Sequence, residues 1–252
     1  MFSKLQSTPP AHSHCGCSME INKTDADSDS PATENMTTVS HHYFGDSNAS
    51  DDAICITVIE SMKEDYGLFV WPCSVILAEY VWQQRSRFAG AKVVELGAGT
   101  SLPGLVAAKL GADVILTDDS HRLEVLDNMR KVCDLNNIKC EVMGLTWGVW
   151  DESIFSLRPQ IILGADVLYD SSAFDNLFAT VKFLLEKSPR SVFITSYHNR
   201  SGHRLIEFLM IKWGLKCVKL IDGFSFLPSR KASGLSGNIQ VVEIGVSDAG
   251  EN

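Results

Sequence analysis

The run Val94-Glu95-Leu96-Gly97-Ala98-Gly99-Thr100-Ser101 constrains this chain more than any other feature. A short apolar stretch, Lys92–Leu96, ends at two glycines one residue apart, and a helix-like stretch, Leu102–Leu110, follows and stops at Gly111. Glycine tolerates the positive φ a sharp turn demands and lets a backbone approach a ligand closely. A strand, a glycine turn and a helix in that order read as the first unit of a strand–helix alternation. The alternation continues with strands at Asp113–Thr117, Cys140–Leu145, Gln160–Ala165 and Ser191–Ser196 and helices at His121–Asn136, Ser172–Glu186 and His203–Trp213. Two last strands, Leu215–Leu220 and Ile239–Val246, are joined by a stretch with no clear helix, 221–238, and so predict an antiparallel closing hairpin. The expected fold is α/β: a Rossmann-like, doubly wound, mostly parallel seven-stranded sheet with a C-terminal antiparallel hairpin.

The residues around the turn narrow the ligand. A dinucleotide fingerprint places its third glycine at position 102, where this chain has Leu102. Glu95, two residues before Gly97, adds an anion that repels a pyrophosphate and suits a cationic amino group. Asp118 ends the second strand about 20 residues past the glycines, where a carboxylate can accept both hydroxyls of a ribose; Asp119 is its neighbour. Ligands of such sheets bind outside the carboxyl ends of the strands. The segment Gly164-Ala165-Asp166-Val167-Leu168-Tyr169-Asp170 after the fourth strand therefore places Asp166 and Tyr169 where a substrate can meet the cofactor. Trp147, after the third strand, can cover an adenine face, and Trp71 can fold over the pocket. Each of these residues has an ordinary reading as cap, loop or core; the ordered set is what carries the signal.

Residues 1–50 are rich in Ser, Thr, Asp, Asn and His and read as a disordered tail. Residues 51–90 read as a lead-in strand or strand pair and a helix, Cys73–Arg85, covering the cofactor site; 91–247 as the cofactor-binding core; and 248–252 as a short tail. The seven cysteines are scattered, mostly in apolar runs, and suit buried thiols in a reducing compartment. His12-Ser13-His14-Cys15-Gly16-Cys17 crowds possible metal ligands, but no second cluster completes a zinc site, so no metal is expected. Neither a signal peptide nor a membrane-spanning apolar stretch is apparent. The net charge of −9 gives no general attraction to nucleic acid and favours a basic target such as a Lys/Arg-rich tail.

Together these motifs resemble the class I S-adenosylmethionine-dependent methyltransferases, and within them the seven-strand methyltransferase family 16 group. The carriers are Val70-Trp71-Pro72, Glu95–Gly99, Trp147-Gly148 and the Asp-x-x-Tyr of Asp166–Tyr169, and the likeness covers about residues 54–246. It implies S-adenosylmethionine as cofactor, contacted by Trp71, Glu95, Gly97, Gly99, Asp118, Trp147 and Ala165, with Asp166 and Tyr169 lining the acceptor entrance. It implies methylation of a protein side-chain nitrogen, mostly lysine in the family. The subgroup with segments most like Tyr66–Pro72, Ser101–Gly104 and Gly144–Gly148 implies histone arginine, in nucleus and cytoplasm. The residues themselves leave open a small-molecule acceptor or a non-catalytic cofactor-binding scaffold. Glu95 and Leu102 argue against a nicotinamide enzyme.

Overall fold

The computed structural model describes residues 37–45, 53–61, 66–199 and 203–247. In chain order the elements are β1 (Thr37–Phe44), β2 (Ile54–Ser61), a 3-10 turn at Tyr66–Leu68, α1 (Pro72–Gln83), α2 (Arg85–Phe88), β3 (Lys92–Glu95), α3 (Leu102–Lys109), β4 (Asp113–Asp118) and α4 (Leu123–Leu135). They continue with β5 (Glu141–Gly144), α5 (Glu152–Ser156), β6 (Ile161–Ala165), α6 (Phe174–Lys187), β7 (Val192–His198), α7 (His203–Lys212), β8 (Leu215–Asp222), α8 (Ser229–Ala232) and β9 (Ile239–Val246).

Seven strands form one sheet in the order β5-β4-β3-β6-β7-β9-β8. β3 through β7 are mutually parallel, whereas β9 runs antiparallel to both β7 and β8. The doubly wound sheet and its closing hairpin are thus as expected, with β9 inserted between β7 and β8. Residues along each strand point alternately to opposite faces. Val93, Ile161, Leu163 and Ile194 pack with α1, α3 and α4 on one side. Val94, Leu96, Ile162 and Phe193 pack with α6 and α7 on the other. Both faces are covered, which is why these strands read as unbroken apolar runs rather than alternating ones. The chain leaves β3 toward β4 and β5 on one side and returns to β6 on the other. The carboxyl ends of β3 and β6 therefore flank the switch point where a ligand fits.

Two regions depart from the sequence reading. The tail does not run to residue 50: Thr37–Phe44 forms β1, paired along its whole length with β2. In β1 only Phe44 is buried, so the strand shows no alternating apolar pattern to betray it. The pair is fastened to the core by side-chain amides acting like a neighbouring strand. Asn136 Nδ2 donates to Thr57 O at 2.7 Å and Thr57 N donates to Asn136 Oδ1 at 2.8 Å. Asn128 Nδ2 donates to Ile59 O at 3.1 Å. The connection before β9 also holds a single helical turn, α8, whose Lys231 donates to buried Glu79 on α1 at 2.6 Å. The run His12–Cys17 lies outside the described residues. No helix among those described is long and apolar enough to cross a membrane.

From the interior strand β9, Glu243 ties down the first two helices. It accepts a hydrogen bond from Tyr80 Oη at 2.5 Å and two from Arg87, at 2.7 and 3.0 Å. The guanidinium and hydroxyl hold its carboxyl below the usual range despite burial. α1 is thereby fixed on the sheet face it shares with α3, with Trp71 at its N-cap position lining the cleft.

Candidate functional site

A cleft of about 650 Å³ opens at the carboxyl ends of β3, β4 and β6, within the size range of small-ligand sites. Its floor is the glycine turn. Gly97 and Gly99 both have positive φ, 58° and 51°. A side chain at either would be crowded as well as strained: a Cβ on Gly97 would lie 3.1 Å from Trp147 Cζ2, and one on Gly99 would lie 3.0 Å from Gly67 O. Ser101, with φ 64°, completes the turn and leads into α3.

Asp118, at the end of β4, reaches back to this turn. Its Oδ2 accepts from Gly99 N at 2.9 Å and its Oδ1 from Asp119 N at 2.9 Å. Burial raises its pKa despite those two bonds. Trp147 packs against the turn from the far side, while Trp71 and Phe69 stand edge to face with ring centroids 5.3 Å apart on the near side. After β6 come Ala165, Asp166 and Tyr169, all on the cleft wall. Asp166 adopts φ 55°, a strained region for a residue with a side chain. Its N–H donates to Ser196 O of β7 at 2.8 Å, which anchors that turn. Tyr169 is 57% exposed at the rim. Asp170 beside it keeps one carboxylate oxygen on Ser172 N and Oγ, at 2.9 and 2.8 Å.

Every residue singled out from the sequence lines this cleft except Glu95. The expectation that Glu95 meets the ligand directly needs correction: its side chain lies beneath the turn, 1% exposed. Its Oε2 accepts from Gly104 N of α3 at 2.9 Å, and its Oε1 has no partner among the described residues. Strand parity gives the reason, because Glu95 shares a face with Val93, the face that α3 covers. Gly104 also fills the part left vacant by Leu102. A Cβ there would fall 2.4 Å from Glu95 Oε2 and 2.5 Å from Leu116 Cδ2, so this glycine is what brings helix and strand together.

Burial, opposed by the Gly104 hydrogen bond and reinforced by the charge of Asp118, lifts the Glu95 pKa from 4.5 to about 8. A carboxyl raised in the folded state stabilises fully below its unfolded pKa and loses that contribution as pH rises through the folded one. Glu95→Gln keeps the shape and removes the titration. Its stability relative to wild type is expected to rise from pH 5 to pH 9, as measured by urea denaturation. A difference that stays constant over that range would remove the assignment of a neutral Glu95.

Sequence reasoning passed over Phe69, Gly67 and Arg122, which also line the cleft. Phe69 looks like one more apolar residue between Leu68 and Val70, and Arg122 like a surface residue opening α4. The lining carries four carboxylates, Asp118, Asp119, Asp166 and Asp170, against one guanidinium, Arg122. That balance repels phosphates and suits a cationic ligand. Aromatic faces, a carboxylate at the end of β4 and a glycine turn bordered by acidic groups fit S-adenosylmethionine: Asp118 would hold the ribose, Trp147 the adenine face, and Gly97 and Gly99 the path of the backbone.

A sequence profile described as lysine methyltransferase matches residues 50–212. "Histone-arginine methyltransferase METTL23" of Xenopus laevis is 44% identical over 167 residues, covering 66% of this chain and 71% of that protein. The mouse protein of the same name is 46% identical over 167 residues, covering 66% of each. "EEF1A lysine methyltransferase 3" of Mus musculus is 33% identical over 149 residues, covering 56% of this chain and 63% of that protein. Among solved structures, the CcbJ methyltransferase of Streptomyces caelestis superposes with a TM-score of 0.55 at 13% identity, over 73% of this chain and 94% of that one. The Thermus thermophilus 16S rRNA methyltransferase RsmC, solved with AdoMet and guanosine, gives 0.51 at 19%, over 77% and 48%. These two likenesses bear on the fold alone.

Proposed function

The chain belongs to the lysine methyltransferase family and is an S-adenosylmethionine-dependent methyltransferase, and we propose that its acceptor is a side-chain nitrogen of a basic protein segment, an arginine of a histone in the first instance. The observation that carries this reading is the acidic turn after β6, where Asp166, Tyr169 and Asp170 share the wall of the cofactor cleft. The names of the relatives at 44% and 46% identity support arginine, and a net charge of −9 attracts a basic tail.

The cofactor supplies an electrophilic methyl group on a sulfonium. The chain's work is to bind, orient and keep water out. Asp118 would position the ribose, and the glycine turn would bring the backbone against it. A guanidinium acceptor stays charged through binding, so carboxylates must grip it. Asp166 and Asp170 are placed to do so, with Tyr169 walling the channel. Lysine is the second reading, favoured by the family and by a turn that carries one carboxylate, Asp166, on a backbone anchored to Ser196 O. A lysine must lose a proton first, which costs about 4–5 kcal/mol at neutral pH from a pKa near 10.4. A bound sulfonium and the exclusion of water would lower that cost, and Asp166 would then hold the neutral amine in line. A histone acceptor would place the enzyme in the nucleus, with cytoplasmic proteins as a further pool.

The test is transfer of labelled methyl from S-adenosylmethionine into purified histones and fractionated extract, followed by acid hydrolysis. Label on methyl-arginine, falling at least tenfold (~1.4 kcal/mol of barrier) in Asp166→Ala while cofactor affinity holds, is the expected result. Label on methyl-lysine would move the assignment to the second reading. A fully active Asp166→Ala would sink the role given to Asp166.

A further inference from the structure

Three side chains from distant parts of the chain meet beside the acceptor wall. A ligating atom from each of Cys73, Asp166 and His198 lies within 4.8 Å of the other two. They come from the first turn of α1, the turn after β6 and the end of β7. That spacing leaves a shared point roughly 2–3 Å from all three, the scale of zinc–ligand bonds.

Each side chain is prepared for such a role by its surroundings. Cys73 is fully buried and occupies the first turn of the 12-residue α1. Asp166 is held by its left-handed backbone, φ 55°, and by its bond to Ser196. The His198 ring fills space that only glycine leaves open: a Cβ on Gly237 would lie 2.8 Å from its Cε1 and 3.0 Å from its Nδ1. A thiolate, an imidazole and one carboxylate suit zinc or cobalt, whereas magnesium and calcium take oxygen ligands. Three protein ligands leave a fourth position open. Because the ligands come from three separate elements, no spacing rule applied to the sequence reveals the set.

We propose that Cys73, Asp166 and His198 bind one divalent ion of the zinc class in the wall of the cleft. On binding, the Cys73 thiol gives up its proton to solvent. Since Asp166 is then committed to the ion, zinc competes with the methyl acceptor; this consequence rests on the role given to Asp166 above.

The probe is Co²⁺, titrated into the full chain after chelator treatment. The expected result is uptake of one equivalent with a thiolate charge-transfer band in the near ultraviolet and tetrahedral bands in the visible. Cys73→Ser should remove the first, and His198→Ala, at a half-buried position less demanding for folding, should weaken binding at least tenfold. The His12–Cys17 run also carries thiols and imidazoles, so the same titration is made on Cys15→Ser/Cys17→Ser, which should retain the signal. Absence of uptake, or a band that survives Cys73→Ser and disappears in Cys15→Ser/Cys17→Ser, overturns the site. The spectrum needs no methyl acceptor, so the ion site fails or stands independently of the acceptor assignment.

Discussion

Gly104→Ala is expected to destabilise the chain by roughly 2 kcal/mol, a fall of about 4–8 °C in thermal midpoint. At an ordinary helix position the same change stabilises, because alanine is about 1 kcal/mol better than glycine. Here the sign reverses. The new Cβ would sit 2.4 Å from Glu95 Oε2 and 2.5 Å from Leu116 Cδ2. Both atoms are far ends of side chains, which elsewhere would simply move aside. Neither can do so here, since Glu95 is 1% exposed and Leu116 is 0% exposed. Glu95 is moreover bonded to the Gly104 amide itself. To relieve the contact α3 must lift from β3, which carries Ser101 and the glycine turn with it. Cofactor affinity should therefore fall along with stability. Thermal unfolding of Gly104→Ala beside Gly111→Ala makes the comparison. A Cβ at Gly111 meets nothing within 4 Å, although its φ of 91° adds strain. A Gly104→Ala protein as stable as wild type would show that helix and strand do not need this close approach.

That glycine also illustrates which parts of the molecule were legible beforehand. Periodicity reveals whatever is buried on two faces. Val93, Val94, Ile161, Ile162, Phe193 and Ile194 give short apolar runs that, alternating with helical stretches, read as strands covered on both faces, and the fold follows from them. The glycine turn and Asp118 were legible because a single local geometry, strand–turn–helix, requires those residue types at that spacing. Direction was harder. Glu95 belongs to the motif yet faces α3, a fact contained in its shared parity with Val93 but obscured by the charge that drew attention to it. β1 was missed because Thr37–Phe44 buries only Phe44 and finds its partner across a connection, so no pattern within the strand identifies it. Phe69 and Arg122 were missed because what matters about them is the cleft they border, and a cleft has no signature along one segment. The same holds for the meeting of Cys73, Asp166 and His198.

Asp118→Ala is expected to weaken S-adenosylmethionine binding about a hundredfold or more. A carboxylate taking both hydroxyls of a ribose makes two charge-assisted hydrogen bonds, each worth about 1.5–3 kcal/mol, and tenfold in affinity is about 1.4 kcal/mol. The change also frees the Gly99 and Asp119 amides that the carboxylate now holds at 2.9 Å, so the turn loses its template as the ligand loses its partner. Two readouts separate these effects. S-adenosylhomocysteine shares the ribose but lacks the sulfonium charge. If Asp118 acts through the hydroxyls and the turn, titration calorimetry should show nearly equal losses for both ligands; if it acted as a counter-charge, S-adenosylmethionine would lose far more. The thermal midpoint of the ligand-free protein gives the second. Removing the Asp118 carboxylate leaves the Gly99 and Asp119 amides without their acceptor, so the ligand-free midpoint should fall by a few degrees, while the rise that saturating cofactor produces should be abolished. A loss under tenfold for both ligands, with the thermal shift intact, would mean that the ribose is held elsewhere in the cleft, and Asp119, whose carboxylate accepts from Thr146 Oγ1 at 2.7 Å on the same wall, would be the next residue to replace.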